Sequence, residues 1–224
     1  SEAWDWSERA IRSTKVPGGS PGRIAKAART PAPYDAAVLR ASDPLPLRPE
    51  RVAVAGVSGS GKSTLARRVA ALLDLPYTEL DALFHGPGWT RRPEFEADVA
   101  ALLAQGRWVT EWQYDDARPL LTERADLFVW VDPPFPVTLG RVVRRTVRRR
   151  LRREELWNGN QEGPLHTFFT DREHIVRWAI STRNLYADRV AAVIAARPDL
   201  PVVRLRSSRD IERWLSDAVA PRAD

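Results

Sequence analysis

Short apolar runs alternate along this chain with longer stretches of helical period. Val52, Ala53, Val54 and Ala55 form a run of apolar residues suited to a parallel strand covered on both faces. Behind it, Leu65, Val69, Leu72 and Leu73 recur at helical spacing while Arg67 and Arg68 fall off that stripe. The alternation then repeats. Further strands are expected at 76–80, 108–112, 127–131 and 202–205, and helices at 93–105, 119–124, 137–153, 171–196 and 209–220. Pro93 near the first turn and Gly106 after the last bracket one of these helices. In the helix at 137–153, Val143, Val147 and Leu151 stand four apart and predict an inward stripe. Strands alternating with helices predict an α/β fold, a parallel sheet with helices on both faces. Ligands of such sheets lie beyond the carboxyl ends of the strands.

Residues 1–48 follow another rule. Pro17, Gly18, Gly19, Pro21, Gly22, Pro31, Pro33, Pro44 and Pro46 interrupt any long element, leaving room for short helical pieces at 4–13 and 34–41. Trp4 and Trp6 predict either packing onto the domain or an arm for a partner. The expected organisation is therefore a Pro/Gly-rich N-terminal extension at 1–48 and one domain at 49–220.

Composition narrows the partners. Lys and Arg total 35 against 29 Asp and Glu, a net charge of +6, which favours phosphate-bearing partners without separating nucleotides from nucleic acid. There is no cysteine, so disulfides and thiolate metal sites are excluded. No apolar run approaches the roughly 20 residues of a membrane span. The N-terminal stretch also has no signal-peptide pattern, so the expectation is a cytoplasmic protein without a membrane partner.

The candidate chemistry centres on Gly56-Val-Ser-Gly-Ser-Gly61-Lys62-Ser63, which fits the phosphate-loop pattern G-x-x-x-x-G-K-[ST]. Strand, loop and helix stand in the order that motif needs. Gly56, Gly59 and Gly61 let the backbone turn tightly, and Ser58, Ser60 and Thr64 complete the loop. The amides at the start of the following helix favour an anion. Lys62 is suited to the β- and γ-phosphates of ATP, and the Ser63 hydroxyl to Mg²⁺. Lys62 is one of three lysines, with Lys15 and Lys26, in a chain that otherwise uses arginine.

Asp81 ends the second expected strand. It is a candidate general base, a hydrogen-bond partner for an acceptor, or a holder of Mg²⁺ through water, against the plain reading of a turn aspartate. Asp132 ends the fourth. It is a candidate carboxylate behind Mg²⁺, a partner for an arginine, or a turn residue. Eight arginines crowd 141–153, and Arg141 and Arg145 share a face on which they could neutralise a transferring phosphoryl group. The rest of that face is either solvated or nucleic-acid binding. Glu111, Trp112 and Tyr114 after the third strand are candidates for contacting an acceptor, with His85 and Trp89 in the loop after Asp81; core packing is the alternative for the rings. A hydroxyl acceptor profits from a carboxylate such as Asp81, whereas a phosphate acceptor wants arginines, for which Arg91 and Arg92 stand ready. His85, His166 and His174 show no metal-ligand spacing. Leu156-Trp-Asn-Gly-Asn-Gln161 follows the basic helix and is a candidate part of a lid, about 145–170.

The succession of phosphate loop, Glu79-Leu-Asp81, Gly88-Trp89, Arg107-Trp-Val109, Val131-Asp-Pro133, Arg144-Arg-Thr146 and Glu155-Leu-Trp-Asn-Gly-Asn160 resembles the adenylate-kinase-like P-loop proteins labelled DNA topology modulation proteins or kinases. The likeness runs over about residues 51–215. It implies a P-loop NTPase fold of the nucleoside monophosphate kinase type, with five parallel strands in order 2-3-1-4-5 and a mobile helical lid. It further implies that Arg141 stacks on adenine, that Arg145 meets phosphates, and that Arg206-Ser-Ser-Arg209 lies near the adenine edge. Where such relatives carry Asp-Gly-Asn-Tyr after the third strand, this chain has Glu111-Trp112-Gln113-Tyr114. The expected function is an ATP- and Mg²⁺-dependent kinase acting on a small-molecule or nucleotide acceptor. The alternatives are a nucleotide-dependent nucleic-acid-binding protein and a regulatory protein without turnover.

Overall fold

The computed structural model describes residues 38–152, 154–160 and 185–219. The expected helical piece at 4–13 with Trp4 and Trp6, the lid residues 161–170 with His166, and His174 with the first part of the 171–196 helix lie outside the described residues.

Six parallel strands form one sheet: β1 (Val38–Leu39), β2 (Arg51–Ala55), β3 (Tyr77–Thr78), β4 (Trp108–Glu111), β5 (Leu127–Val131) and β6 (Val202–Leu205), in the order β1-β6-β5-β2-β4-β3. Five strands were expected, and the whole-sheet order differs accordingly. The added strand arises inside the piece expected to be helical, where Val38 and Leu39 pair with Val202 and Val203. A turn then ends it, with Asp43 accepting from the Arg40 amide at 2.8 Å. With β1 set aside, the remaining strands run β3-β4-β2-β5-β6. The sheet thus begins within the stretch expected as an extension.

Alternate residues of each strand feed opposite cores. Val52, Val54, Leu127, Val129 and Val131 pack with Leu65, Val69 and Leu73 of α1 (Lys62–Leu73), and with Trp214 of the last helix. Ala53, Ala55, Phe128 and Trp130 pack on the other side with Phe95, Val99 and Leu102 of α3 (Phe95–Ala104), and with Leu121 of α4 (Arg118–Arg124). Val190 of α6 (Leu185–Ala196) joins that second core. Burial on both faces is why these strands read as unbroken apolar runs, and each large buried side chain contributes roughly 1.5–3 kcal/mol.

Two elements depart from expectation near the carboxyl ends of the strands. The strand expected at 76–80 stops at Thr78 and gives way to the short helix α2 (Leu80–Phe84), so Asp81 stands in a first helical turn. The buried Glu111 of β4 explains the break, because its carboxylate accepts from the Leu80 amide and the chain cannot continue as strand past it. In α5 (Phe135–Arg152) the buried positions are Thr138, Val142 and Thr146, while Val143 and Leu151 are exposed, Leu151 by 73%. The inward stripe is therefore shifted by one residue, about 100° around the axis. The phosphate loop sets that rotation: a Cβ on Gly59 would lie 2.5 Å from the Thr138 carbonyl and 2.6 Å from Val142 Cγ2. The helix is seated by Thr138 and Val142 on a glycine, not by its aliphatic stripe.

Candidate functional site

From β2 the chain enters the loop and then α1, which starts at Lys62 behind a left-handed Gly61. Gly56 is obligatory for space, since a Cβ there would lie 2.5 Å from Ser60 Oγ and 2.8 Å from the Val131 carbonyl. Gly59 is obligatory for space and for its φ of 77°. The first helical turn has no side-chain cap and no acidic residue. Among the described residues, the amides of Lys62, Ser63 and Thr64 find no protein acceptor, and the Lys62 ammonium and Ser63 hydroxyl make no hydrogen bond or ion pair. Buried Ser60 Oγ also lacks a partner among them. Orphaned amides, a helix N-terminus and an uncommitted ammonium make a cradle for an anion.

Arginines of α5 reach this cradle. Arg141 donates to the Ser60 carbonyl at 3.0 Å and to Ser208 Oγ at 3.2 Å, and Arg145 donates to Ser58 Oγ at 3.1 Å. Arg141 also walls a cavity of about 240 Å³ with Ser60, Gly61, Thr64, Arg68 and Ile211. Ser208 and Ile211 come from α7 (Ser208–Trp214), and Glu212 of α7 binds Arg68 through two hydrogen bonds of 2.6 and 2.7 Å at the rim. Arg206, expected near an adenine edge, is exposed and does not line this cavity; its amide donates to Asp210.

Asp132 follows β5 and takes the arginine partner foreseen among its alternatives. Arg204 donates to Asp132 Oδ2 from Nε at 3.0 Å and from Nη2 at 2.6 Å, and lies over the Trp130 ring at 4.2 Å. Oδ1 of Asp132 and the Ser63 hydroxyl make no hydrogen bond among the described residues. A hydroxyl and a carboxylate oxygen are the ligand types that a hard cation such as Mg²⁺ prefers.

A second cluster stands around α2. Asp81 Oδ1 accepts from Tyr114 OH at 2.5 Å and Gln113 Nε2 at 2.6 Å, while Oδ2 has no partner among the described residues. Tyr114 OH also lies 3.2 Å from His85 Nε2. Since Tyr114 donates to the carboxylate, the imidazole donates to Tyr114 through Nε2–H. Burial pushes the Tyr114 phenol up, and the Asp81 charge adds to this. Burial pushes His85 down, against the opposing pull of Asp81. The rings enclose one another: Tyr114 stacks on Phe84 at 3.9 Å, and His85 lies 5.1 Å from Trp89 and 5.9 Å from Trp157.

The turn at Trp157–Gly159 is tied to the loop after α2. Asn160 donates to the Gly86 carbonyl at 2.9 Å and accepts from the Trp89 amide at 3.0 Å, and Asn158 donates to the His85 carbonyl. Among the described residues, three of the four non-glycine residues with positive φ are Trp89 (61°), Tyr114 (64°) and Asn158 (55°), all in this cluster. Such backbone costs about 1–3 kcal/mol per residue, so it persists only where its surroundings hold it.

Asp81, His85, Trp89 and Tyr114 are thus brought together in one cluster. Glu111 and Trp112 are not. Glu111 is 1% exposed, with one oxygen accepting from Tyr77 OH at 2.5 Å and the other from the Leu80 amide. Trp112 is buried against Phe128 and Tyr186, with its Nε1 donating to Thr122 Oγ1 and the Arg118 carbonyl. Both build the floor: Glu111 ends β4 and Trp112 follows it, and both side chains are buried. Arg91 and Arg92, the candidates for a phosphate acceptor, are each held by carboxylates: Arg91 by Glu96 and Asp116, Arg92 by Asp98 and Glu94. Sequence reasoning assigned no role to Gln113 or Arg204, whereas Ser208 lies in the 206–209 segment expected near the adenine edge. Only the places of Gln113 and Arg204 directly after or on strand ends could have pointed to them.

No family model matches the chain. It is 27% identical over 160 residues to a shikimate kinase of Bradyrhizobium diazoefficiens, across 62% of this chain and 74% of that one. Among solved structures it is similar to a sugar kinase of a Janibacter species (24% identity, 76% of this chain and 98% of that one, TM-score 0.39). It is also similar to a gluconokinase of Sinorhizobium meliloti (19%, 77% and 90%, TM-score 0.41) and a shikimate kinase of Aquifex aeolicus (16%, 75% and 92%, TM-score 0.42). No helix among the described residues is long and apolar enough to cross a membrane. The curated relative and the phosphate loop together support a P-loop kinase enzyme, its acceptor still to be assigned.

Proposed function

We propose that the chain transfers the γ-phosphoryl group of ATP to an acceptor held beside Asp81. One observation carries this reading: uncommitted Lys62 and the orphaned amides of α1 lie at the same loop that Arg141 and Arg145 reach from α5. Lys62 and the amides take the β- and γ-phosphates. Arg141 closes the cavity in which the base lies, and Arg145 sits by the transferring group. Ser63 and Oδ1 of Asp132 fit a Mg²⁺ ion, which supplies neutralisation of phosphate charge. In the loose transition state of such transfers most catalysis is positioning and charge stabilisation. The new bond forms between the acceptor oxygen and the γ-phosphorus. The bond from that phosphorus to the β,γ-bridging oxygen breaks, and ADP leaves with the electron pair.

Asp81 suits a hydroxyl acceptor because Gln113 and Tyr114 fix one oxygen and leave the other to face the acceptor's proton. The test is ADP release against a panel of nucleosides, nucleotides and sugars. Acceptor-dependent release that vanishes in Lys62→Ala supports the reading, and release no higher than the idle rate for every compound refutes it.

A nucleic-acid reading rests on a different observation. Arg144, Arg148 and Arg152 form an exposed row on α5 that adjoins the row of Arg141 and Arg145. It predicts binding that weakens steeply with salt and survives Lys62→Ala.

A further inference from the structure

Charge distinguishes the possible acceptors. Each arginine near the aromatic cluster is committed. Arg91 and Arg92 each meet two carboxylates, and Arg145 turns to Ser58 of the phosphate loop. Arg149 lies over the Trp157 ring at 5.9 Å, beside Glu154. His85 is neutral at physiological pH, because burial disfavours its charged form. At the centre stands the Asp81 carboxylate with its unpartnered Oδ2. A second anion brought there would meet a like charge and no free cation among the described residues.

Shape gives the second argument. Trp89 is 42% exposed in a strained backbone conformation, and its ring stands at 75° to that of Trp157, 6.3 Å away. The clip from Asn160 and Asn158 holds this arrangement in place. A strained, exposed and firmly held aromatic corner is a feature that folding alone does not require. It offers apolar ring faces beside a hydrogen-bond acceptor, the combination that receives a ring with C–H faces and hydroxyl edges.

The third argument is distance along α5. Arg141, Arg145 and Arg149 follow one face at steps of roughly 6 Å. In that order they touch Ser60, Ser58 and the Trp157 ring. The aromatic corner is therefore one helical turn beyond the phosphate loop, where an acceptor of single-ring size spans the gap.

Resting on the phosphotransferase reading above, we infer that the acceptor is an uncharged monosaccharide or cyclic polyol, laid against Trp89 and Trp157 with one hydroxyl directed at Asp81. That hydroxyl oxygen forms the new bond to the γ-phosphorus, its proton passes to Asp81 Oδ2, and ADP departs with the electrons of the broken bond. A nucleoside monophosphate or a sugar acid would bring a second anion beside the Asp81 carboxylate, where the arginines among the described residues are already engaged.

The test measures ADP release with glucose, ribose and myo-inositol against gluconate, shikimate and adenosine monophosphate, beside a thermal shift with ATP. Turnover with a neutral compound, its KM raised about tenfold by Trp89→Ala but little by Trp89→Phe, with the KM for ATP unchanged, supports the inference. Arg91→Gln is then expected to leave that KM within about twofold. Turnover confined to gluconate, shikimate or adenosine monophosphate overturns the inference while leaving the phosphotransferase reading intact. An ATP-induced thermal shift with no turnover on any compound overturns both.

Discussion

At the phosphate loop, function is written into one contiguous octapeptide, and the groups that face the cradle are chiefly backbone amides and one lysine. At the aromatic corner the proposed acceptor site is assembled from four separate segments: Asp81 to Trp89, Gln113 with Tyr114, Arg149, and Trp157 to Asn160. The loop relies on glycines for its unusual backbone. The corner forces tryptophan and tyrosine into left-handed backbone and holds them with side-chain hydrogen bonds. A site built of backbone recognises what every nucleoside triphosphate shares. On the proposed reading, a site built of side chains from separate segments recognises one partner, and a few substitutions can change which. This separation gives the two halves different failure modes.

The largest effect is expected in the donor half. Lys62→Ala should lower kcat/KM for ADP formation by about a thousandfold, as for the loss of a charge aimed at the transition state. Thermal stability should hardly change, because Lys62 has no partner among the described residues. A retained rate would sever the loop from the chemistry. Asp81→Asn should cost roughly a hundredfold in acceptor-dependent turnover, as for the loss of a general base, and leave the acceptor-independent ATPase rate untouched. If both rates fall together, Asp81 belongs to the donor half and the comparison breaks.

The sequence makes the two halves legible to different degrees for the same reason. Gly56 to Ser63 is local, and strand, loop and helix are visible as changes of period. Asp81, His85, Trp89 and Tyr114 are legible as candidates because they follow strands. Their assembly is not, since it depends on Gln113 and Asn160 reaching across the sheet edge. Glu111 and Trp112 mislead because a strand of four residues buried on both faces gives no alternation to say which way each points. The tilt of α5 is hidden for a related reason: Val143, Val147 and Leu151 form the better apolar stripe, but the steric need at Gly59 selects Thr138 and Val142.

Asn160→Ala probes how the corner is held. It removes the bonds to Gly86, Trp89 and Trp157 from a buried side chain, a loss of about 1–3 kcal/mol. Melting should fall by several degrees. The KM for the acceptor should rise several-fold while the KM for ATP stays, because no bond of Asn160 touches the phosphate loop. A parallel rise in both constants would mean that the two halves are one mechanical unit.

The smallest effect concerns His85, and its sign can be worked out. Burial holds its folded pKa below the ordinary value, with Asp81 pulling weakly the other way. Above about pH 6.5 the ring is neutral in both folded and unfolded chains and contributes no pH dependence. Below that value the unfolded chain takes up a proton that the folded chain still refuses, so stability falls with acidification until the folded pKa is passed. Replacing the imidazole with an amide, as in His85→Gln, removes this term and should flatten the decline in melting temperature between about pH 7 and pH 5.5. The donor half contains no histidine among the described residues, so the affinity for ATP measured over the same range should not follow His85. If the decline instead steepens in His85→Gln, the folded ring takes up its proton more readily than the unfolded one, and the corner carries a cation that would welcome an anionic acceptor after all.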